Sequence, residues 1–345
     1  MSFTNKKIKL MVFSFKENAT ISTDRIRANA ACLLDNLPIE NGAQNVGWVS
    51  GSSELDVTMP DEQIKVGENI YIAMRIATRR ISSGLLKAVL RKKMDEYKKL
   101  NGVKFVPGKI RKELKEEAEN RLIRNATPTI KTSFCVINPA AGKVYAGVAS
   151  KNEVDLFLQL FCKTFGIMLE PMIGVAMDDT DEYEEYEEMK HEFMTWLFRL
   201  SEINETEGIY TYPPFDFISL DEEKPCTRSV GYGFAAQHSP EVATALKNHK
   251  LLKKIKLAVT GEQINGFSER DVCRFTMNSN FSLVGLEMPE GEEMEDTARF
   301  AEKINLIDML YAWLSDMMQQ FCDEWNNDHD GFISRKESWL ETYCG

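Results

Sequence analysis

Two apolar stripes at helical spacing, Leu86, Leu90, Met94, Tyr97 and Leu100, then Ile110, Leu114, Ala118 and Leu122, lie on either side of an Asn101-Gly102 break. A 3.6-residue period cannot sit flat in a sheet, so this stretch predicts two helices joined by a loop, within 78–125. Each helix then has one face for packing, and its remaining faces must meet water. Those faces are cationic. From Arg75 to Lys131 the chain carries seventeen Lys and Arg against six Asp and Glu, an excess of eleven positive charges, so the other residues must carry −22 to reach the net −11. An acidic protein that gathers cations on one element can draw a polyanion to that place and repel it elsewhere. The competing reading is a solvated hairpin whose lysines only keep it soluble.

The outward cations are Lys87, Arg91, Lys92, Lys98 and Lys99 on the first helix and Lys109, Arg111, Lys112 and Lys115 on the second, which ends in Arg121 and Arg124. Glu113, Glu116 and Glu117 temper the second helix by local pairing. The cleanest positive surface is therefore expected on the first helix, on its approach strand with Arg75, Arg79 and Arg80, and near Arg121 and Arg124.

Around this element the chain reads as α+β, because strands and helices do not alternate as a doubly wound sheet requires. Leu10-Met11-Val12-Phe13 and the alternating Ile70, Ile72, Met74, Ile76 predict strands, with a helix over 22–35 between them. Residues 132–148 predict a hairpin turning at Asn138 to Gly142, followed by a helix that opens on the capping box Ser150 and Glu153. Another helix is expected around Phe193, Trp196, Leu197 and Leu200, after the acidic run Asp178 to Glu188. Strands are expected at 251–259, 273–277 and 281–288, then an acidic turn at Pro289 to Asp296 and a long helix from Thr297 to Trp325. The division expected is an N-terminal α+β region over 1–150, a second over 151–290 and a helical region over 291–345.

With 345 residues, 43% apolar and 28% charged, the chain has the composition of an ordinary globular protein. No run approaches the roughly 18 uncharged apolar residues of a membrane span, so a cytosolic place is expected. The seven cysteines are scattered singly with no C-x-x-C pair, and they read as reduced thiols. No phosphate-binding loop occurs: Ala140-Ala141-Gly142-Lys143 lacks the leading glycine and the hydroxyl residue after Lys143. His191, His238, His249 and His329 stand apart from one another, and no cofactor is required by any motif.

One motif invites a metal. Residues 326–337 match the spacing of an EF-hand calcium loop, with Asn326, Asp328 and Asp330 at positions 1, 3 and 5, Gly331 at 6, Ile333 at 8 and Glu337 at 12. Asn326 replaces the favoured Asp at position 1, and no second loop is present to pair with this one. The same residues also read as a C-terminal turn with Asp and Gly capping a helix.

Several motifs together resemble the bacterial recombination-associated protein RdgC family over nearly the whole chain. They are Leu10-Met11-Val12-Phe13, Gly47-Trp48-Val49, the Lys-rich helices with Lys112-Glu113-Leu114-Lys115-Glu116-Glu117, Glu192-Phe193-Met194-Thr195-Trp196-Leu197, and Lys256-Leu257-Ala258-Val259 ahead of Arg274-Phe275-Thr276-Met277. The resemblance implies a horseshoe-shaped subunit that dimerises head to head and tail to tail into a ring around duplex DNA. It further implies binding without sequence preference, in the nucleoid, and restraint of the RecA recombinase. Where the family places an aromatic at one ring contact this chain has Arg124-Asn125-Ala126-Thr127, and the family's basic loop at the opposite contact has no clear counterpart over 202–240. Lys250, Lys253 and Lys254, with Lys247 and Lys256, are candidates for that lining role. Two other functions stay open: a metal-dependent exonuclease, a label attached to phage members resembling this family, and an interaction protein tuned by calcium.

Overall fold

The structure, a computed structural model, describes residues 2–16, 20–174, 183–202, 208–219, 228–230, 240–289 and 296–344. The start of the acidic run, 178–182, and the acidic turn at 290–295 lie outside these residues, as do Cys226 and His238.

Strand β1 (Lys7–Ser14) is the seam of the molecule. Its residues Met11 to Ser14 pair with β6 (Lys143–Ala146), whereas Lys7 to Leu10 pair with β12 (Leu283–Glu287), so one strand joins two sheets into one. The order across the whole is β2 (Gln44–Ser50), β4 (Asn69–Thr78), β5 (Thr129–Asn138), β6, β1, β12, β11 (Val272–Asn278), β10 (Leu251–Thr260), β8 (Ile209–Ile218) and β9 (Arg228–Val230). The short β3 (Lys65–Val66) adds to β4, and β7 (Glu170–Pro171) adds to β1. Every one of these strand pairs is antiparallel. The protein is α+β, as the sequence predicts.

Successive side chains of a strand point to opposite faces, and β1 uses both. Ile8, Leu10 and Val12 enter one core, and Met11 and Phe13 enter the other. That is why the run Leu10 to Phe13 is apolar without alternation. On the Phe13 side, α5 (Lys151–Phe165) lays Phe157 and Phe161 on the sheet, with Phe13 stacked on Phe157 at 5.8 Å and Trp48 edge-on at 6.0 Å. The helix begins at the capping box of Ser150 and Glu153 and stops at Gly166, whose left-handed φ of 72° suits a residue without Cβ. The opposite core is roofed by α6 (Tyr183–Glu202), α8 (Asp296–Asn327) and α9 (His329–Cys344), where Phe193 meets Phe321 at 5.5 Å. The remaining helices are α1 (Thr23–Ala28), α2 (Asp61–Ile64), α3 (Ser83–Asn101), α4 (Gly108–Arg124) and α7 (Pro240–Lys247). Among the described residues no helix is long and apolar enough to cross a membrane.

Two elements differ from the sequence reading. The helix expected over 22–35 ends at Ala28, because Trp48 N–H donates to Asn29 and Ala31 N–H donates to Trp48, drawing the chain against β2. Gly47 makes room for this approach, since a Cβ there would lie 2.5 Å from the Ala31 backbone. Strand β8 has no strand signature in the sequence because Pro213 and Pro214 interrupt it. Its register against β10 jumps from Asp216↔Lys254 to Tyr212↔Lys256, and the prolines occupy that irregularity, where no ladder N–H is needed.

Glu153 ties three segments together. One carboxylate oxygen accepts Lys9 Nζ at 2.7 Å and Lys131 Nζ at 2.5 Å, and the other accepts the Ser150 N–H at 3.3 Å. Burial pushes this carboxyl up, but the hydrogen bonds from Lys131 and Lys9 outweigh it and hold the group at about 2 against an ordinary 4.5. A group depressed on folding contributes stability above its unfolded pKa, and that stability is lost as pH falls from about 4.5 towards 2. Glu153→Gln should therefore cost about 3 kcal/mol near neutral pH. In urea unfolding followed by circular dichroism, the gap between the two proteins should close over that acid range; a gap independent of pH would contradict the assignment.

Candidate nucleic-acid interface

The basic hairpin consists of α3 and α4 packed on each other. No residue of α3 is buried, and of α4 only Ala118 and Ile123 are. Leu86, Leu90, Met94 and Tyr97 are half-buried along the contact, as their spacing predicts, whereas Leu100 is exposed at the end of the helix. Lys93 Nζ reaches Glu117 at 2.6 Å and clasps the two helices together. At the base, Arg79 Nη1 donates to the Ala126 carbonyl at 2.8 Å and fixes the exit from α4 to the end of β4.

This last contact corrects part of the expected cationic lining. Arg75 is only 1% exposed, with its guanidinium donating to the Cys32 and Glu54 carbonyls, and Arg79 is buried as well. Arg75 belongs to β4, which is covered on its two faces, and Arg79 follows the end of that strand, so these guanidinium groups hold loops in place and do not face solvent. The other cations of the hairpin lie where the sequence puts them. Arg80, Lys87, Arg91, Lys92, Lys99, Arg121 and Arg124 are exposed, and Lys98 is half-exposed, 3.6 Å from Asp95. On α3, Lys87, Arg91 and Lys98 follow the i, i+4, i+11 spacing of one face, with Lys92 and Lys99 on the neighbouring one. On α4, Lys112 and Lys115 stand 3.9 Å from Glu116 and Glu119, exposed pairs that a stronger anion can displace.

A second cationic region surrounds a cleft of about 770 Å³ between the start of α5, the start of β10 and the β11–β12 turn. Lys253 and Lys254, expected from the sequence, line it together with Lys151 and Lys190, which were not. Lys254 sits 3.8 Å from Asp216, and Asp155 also lines the cleft, so its charge is mixed. Lys250 lines a neighbouring hollow of about 260 Å³ beside Phe217 and Glu241. Nothing in the spacing of Lys151 or Lys190 marks them, since they lie on α5 and α6 and reach Lys253 of β10 only through the packing of those helices on the sheet.

The calcium-loop reading is corrected by the path of the chain. Asn326 is still within α8, and Asp330 to Glu337 are turns of α9, so Asn326, Asp328, Asp330 and Glu337 cannot curl around one ion as a twelve-residue loop does. Asp328 is the one residue between the helices. Its carboxylate accepts Arg335 Nη1 at 2.8 Å, a bond that draws its pKa below the ordinary range, and it also receives the Gly331 N–H as a helix cap. A Cβ on residue 331 would lie 2.2 Å from that carboxylate, so any larger residue there would have to displace the Asp328 side chain from its cap. Arg335 also donates to Glu324 at 3.1 Å, and Lys336 pairs with the buried Glu192. Among the described residues no group of three or more His, Cys, Asp or Glu side chains could hold a metal ion.

The correction is testable on stability. Arg75→Gln and Arg79→Gln should each destabilise by about 2 kcal/mol, the scale of buried hydrogen bonds from a charged group. Arg91→Gln should change the melting temperature little. Equal melting temperatures for all three variants would return Arg75 and Arg79 to the surface lining.

A family model described as "Putative exonuclease, RdgC" matches residues 8–195, which run from β1 through the hairpin and α5 into α6 and make up more than half of the chain. No curated protein matches the chain. With over half its length accounted for by that one model, the chain belongs to the RdgC family.

Proposed function

We propose that the protein binds double-stranded DNA without regard to sequence, as a homodimer closed into a ring, in the bacterial nucleoid, and that it restrains a RecA-type recombinase. The observation that carries this reading is the hairpin. On a chain of net charge −11 it projects exposed cations along two helices, and Lys87, Arg91, Lys92, Lys99, Arg121 and Arg124 have no acidic partner among the described residues. Lys and Arg in such a row contact phosphates, position the duplex and read no bases. The acidic remainder keeps DNA from the outer surface.

Ring closure would use the segment after α4. Asn125 and Thr127 are exposed there, while the Ala126 carbonyl is occupied by Arg79. The junction has no large apolar side chain, so polar pairing around Arg124, Asn125 and Thr127 should hold it, and it should be the weaker of two contacts. The mixed cleft with Lys253 and Lys254, and Lys250 nearby, would add phosphate contacts. The family's printed description supports a second reading, a metal-dependent exonuclease; digestion of linear duplex in magnesium would establish it, and inertness would leave the binding reading.

Affinity for unrelated duplexes should be equal and should fall steeply as salt rises, by about tenfold or more between 50 and 200 mM. Reversing Arg91, Lys92 and Lys98 to Glu should reduce it at least a hundredfold with an unchanged melting temperature. A flat salt response or preference for one sequence would sink the proposal. Cysteines placed at Asn125 and Thr127 should cross-link between subunits on oxidation; a monomer in sedimentation at tens of micromolar would remove the ring.

A further inference from the structure

The loop at the hairpin's end carries apolar side chains in the open. Leu100 is 86% and Phe105 84% exposed, and Val103 is exposed beside them. Burial cannot explain them, and the loop that presents them is well defined. Gly102 closes α3 in the left-handed conformation at φ 65°, its N–H and that of Val103 both donating to the Lys98 carbonyl, and Pro107 opens α4. From Tyr97 to Lys112 the chain has six Lys or Arg and no acid.

This combination decides between occupants. A second copy of the tip would bring twelve cations together, which opposes self-association. A bilayer touched by the tip would gain two or three apolar side chains, too little for stable anchoring, and would not reach the cations extending back along α3. A nucleic-acid strand lying along the hairpin meets both, with phosphates on the cationic faces and a base against the ring at the end.

We propose that the hairpin tip is a base-contacting element, with Phe105 stacking on an unpaired base and Leu100 packing beside it. The proposal rests on the DNA-binding reading and sharpens it: the helical faces hold phosphates of any sequence, and the tip favours places where a base face is free. An intact duplex hides those faces, and opening a step costs a few kcal/mol, so gaps and single-stranded junctions are the preferred target.

The test compares the wild type, Phe105→Ala and Phe105→Trp on an intact duplex, on the same duplex with a short single-stranded gap, and on anionic phosphatidylserine vesicles, using fluorescence anisotropy and sedimentation. Phe105→Ala should bind the gapped DNA at least about tenfold more weakly than the wild type, with affinity for the intact duplex unchanged, and Phe105→Trp should restore it. A 2-aminopurine in the gap should be quenched by the wild type and not by Phe105→Ala. Equal binding of all three proteins to gapped DNA would overturn the tip's role while leaving duplex binding standing. So would a loss confined to vesicles, or a loss of the dimer on Phe105→Ala. Absence of wild-type binding to either DNA would overturn the underlying reading as well.

Discussion

The double-sided burial of β1 is the constraint on which the rest of the structure depends. Because one strand pairs with β6 over half its length and with β12 over the other half, residues 7–14 hold together sheets built from opposite ends of the chain. Leu10 and Val12 on one face and Met11 and Phe13 on the other enter separate cores, each covered by its own helices. A polar residue at any of these positions would leave a buried group without a partner, and a one-residue slip would exchange the two faces. Lys9 is the exception among them, and the Glu153 carboxylate meets it.

That rigid seam lets the hairpin protrude. With no buried residue in α3, the hairpin gains little from packing on the body, and its placement depends on the Lys93–Glu117 clasp and on Arg79 holding Ala126. Cations that would repel one another in a compact position are tolerable on a projecting pair of helices, where water screens them. The same exposure makes them accessible to a polyanion. The division of labour among arginines follows: Arg75 in β4 and Arg79 just after it stabilise loops from inside, and those of α3 and α4 face out.

The C-terminal region shows how similar residue patterns can serve different physics. Asp, Gly and Glu at calcium-loop spacing are also what a helix start with ion pairs requires. The choice fell to the helix because Phe332 and Trp339 are buried in the large core and Arg335 and Lys336 find Glu324, Asp328 and Glu192. Each of those contacts needs α9 to be helical from its first turn.

Much of the fold was legible in the chain because its causes are local. The period of Leu86 to Tyr97, the Asn101-Gly102 break, the Ser150–Glu153 capping box and the alternation of Ile70 to Ile76 each act within a few residues, so the helices and strands they specify need no distant partner. The basic character of the hairpin and the exposure of Arg91, Lys92 and Arg124 were legible for the same reason. What only the tertiary structure decided depends on which segments meet. Arg75 and Arg79 looked like surface cations until Cys32, Glu54 and Ala126 offered them carbonyls, and Ala31 left its helical pattern to pair with Trp48. Lys151, Lys190 and Lys253 share a cleft only because α5 and α6 pack beside β10. Sequence spacing carries the periodicity of a backbone; a contact between remote residues is set by the packing of whole elements, which no short window of sequence contains.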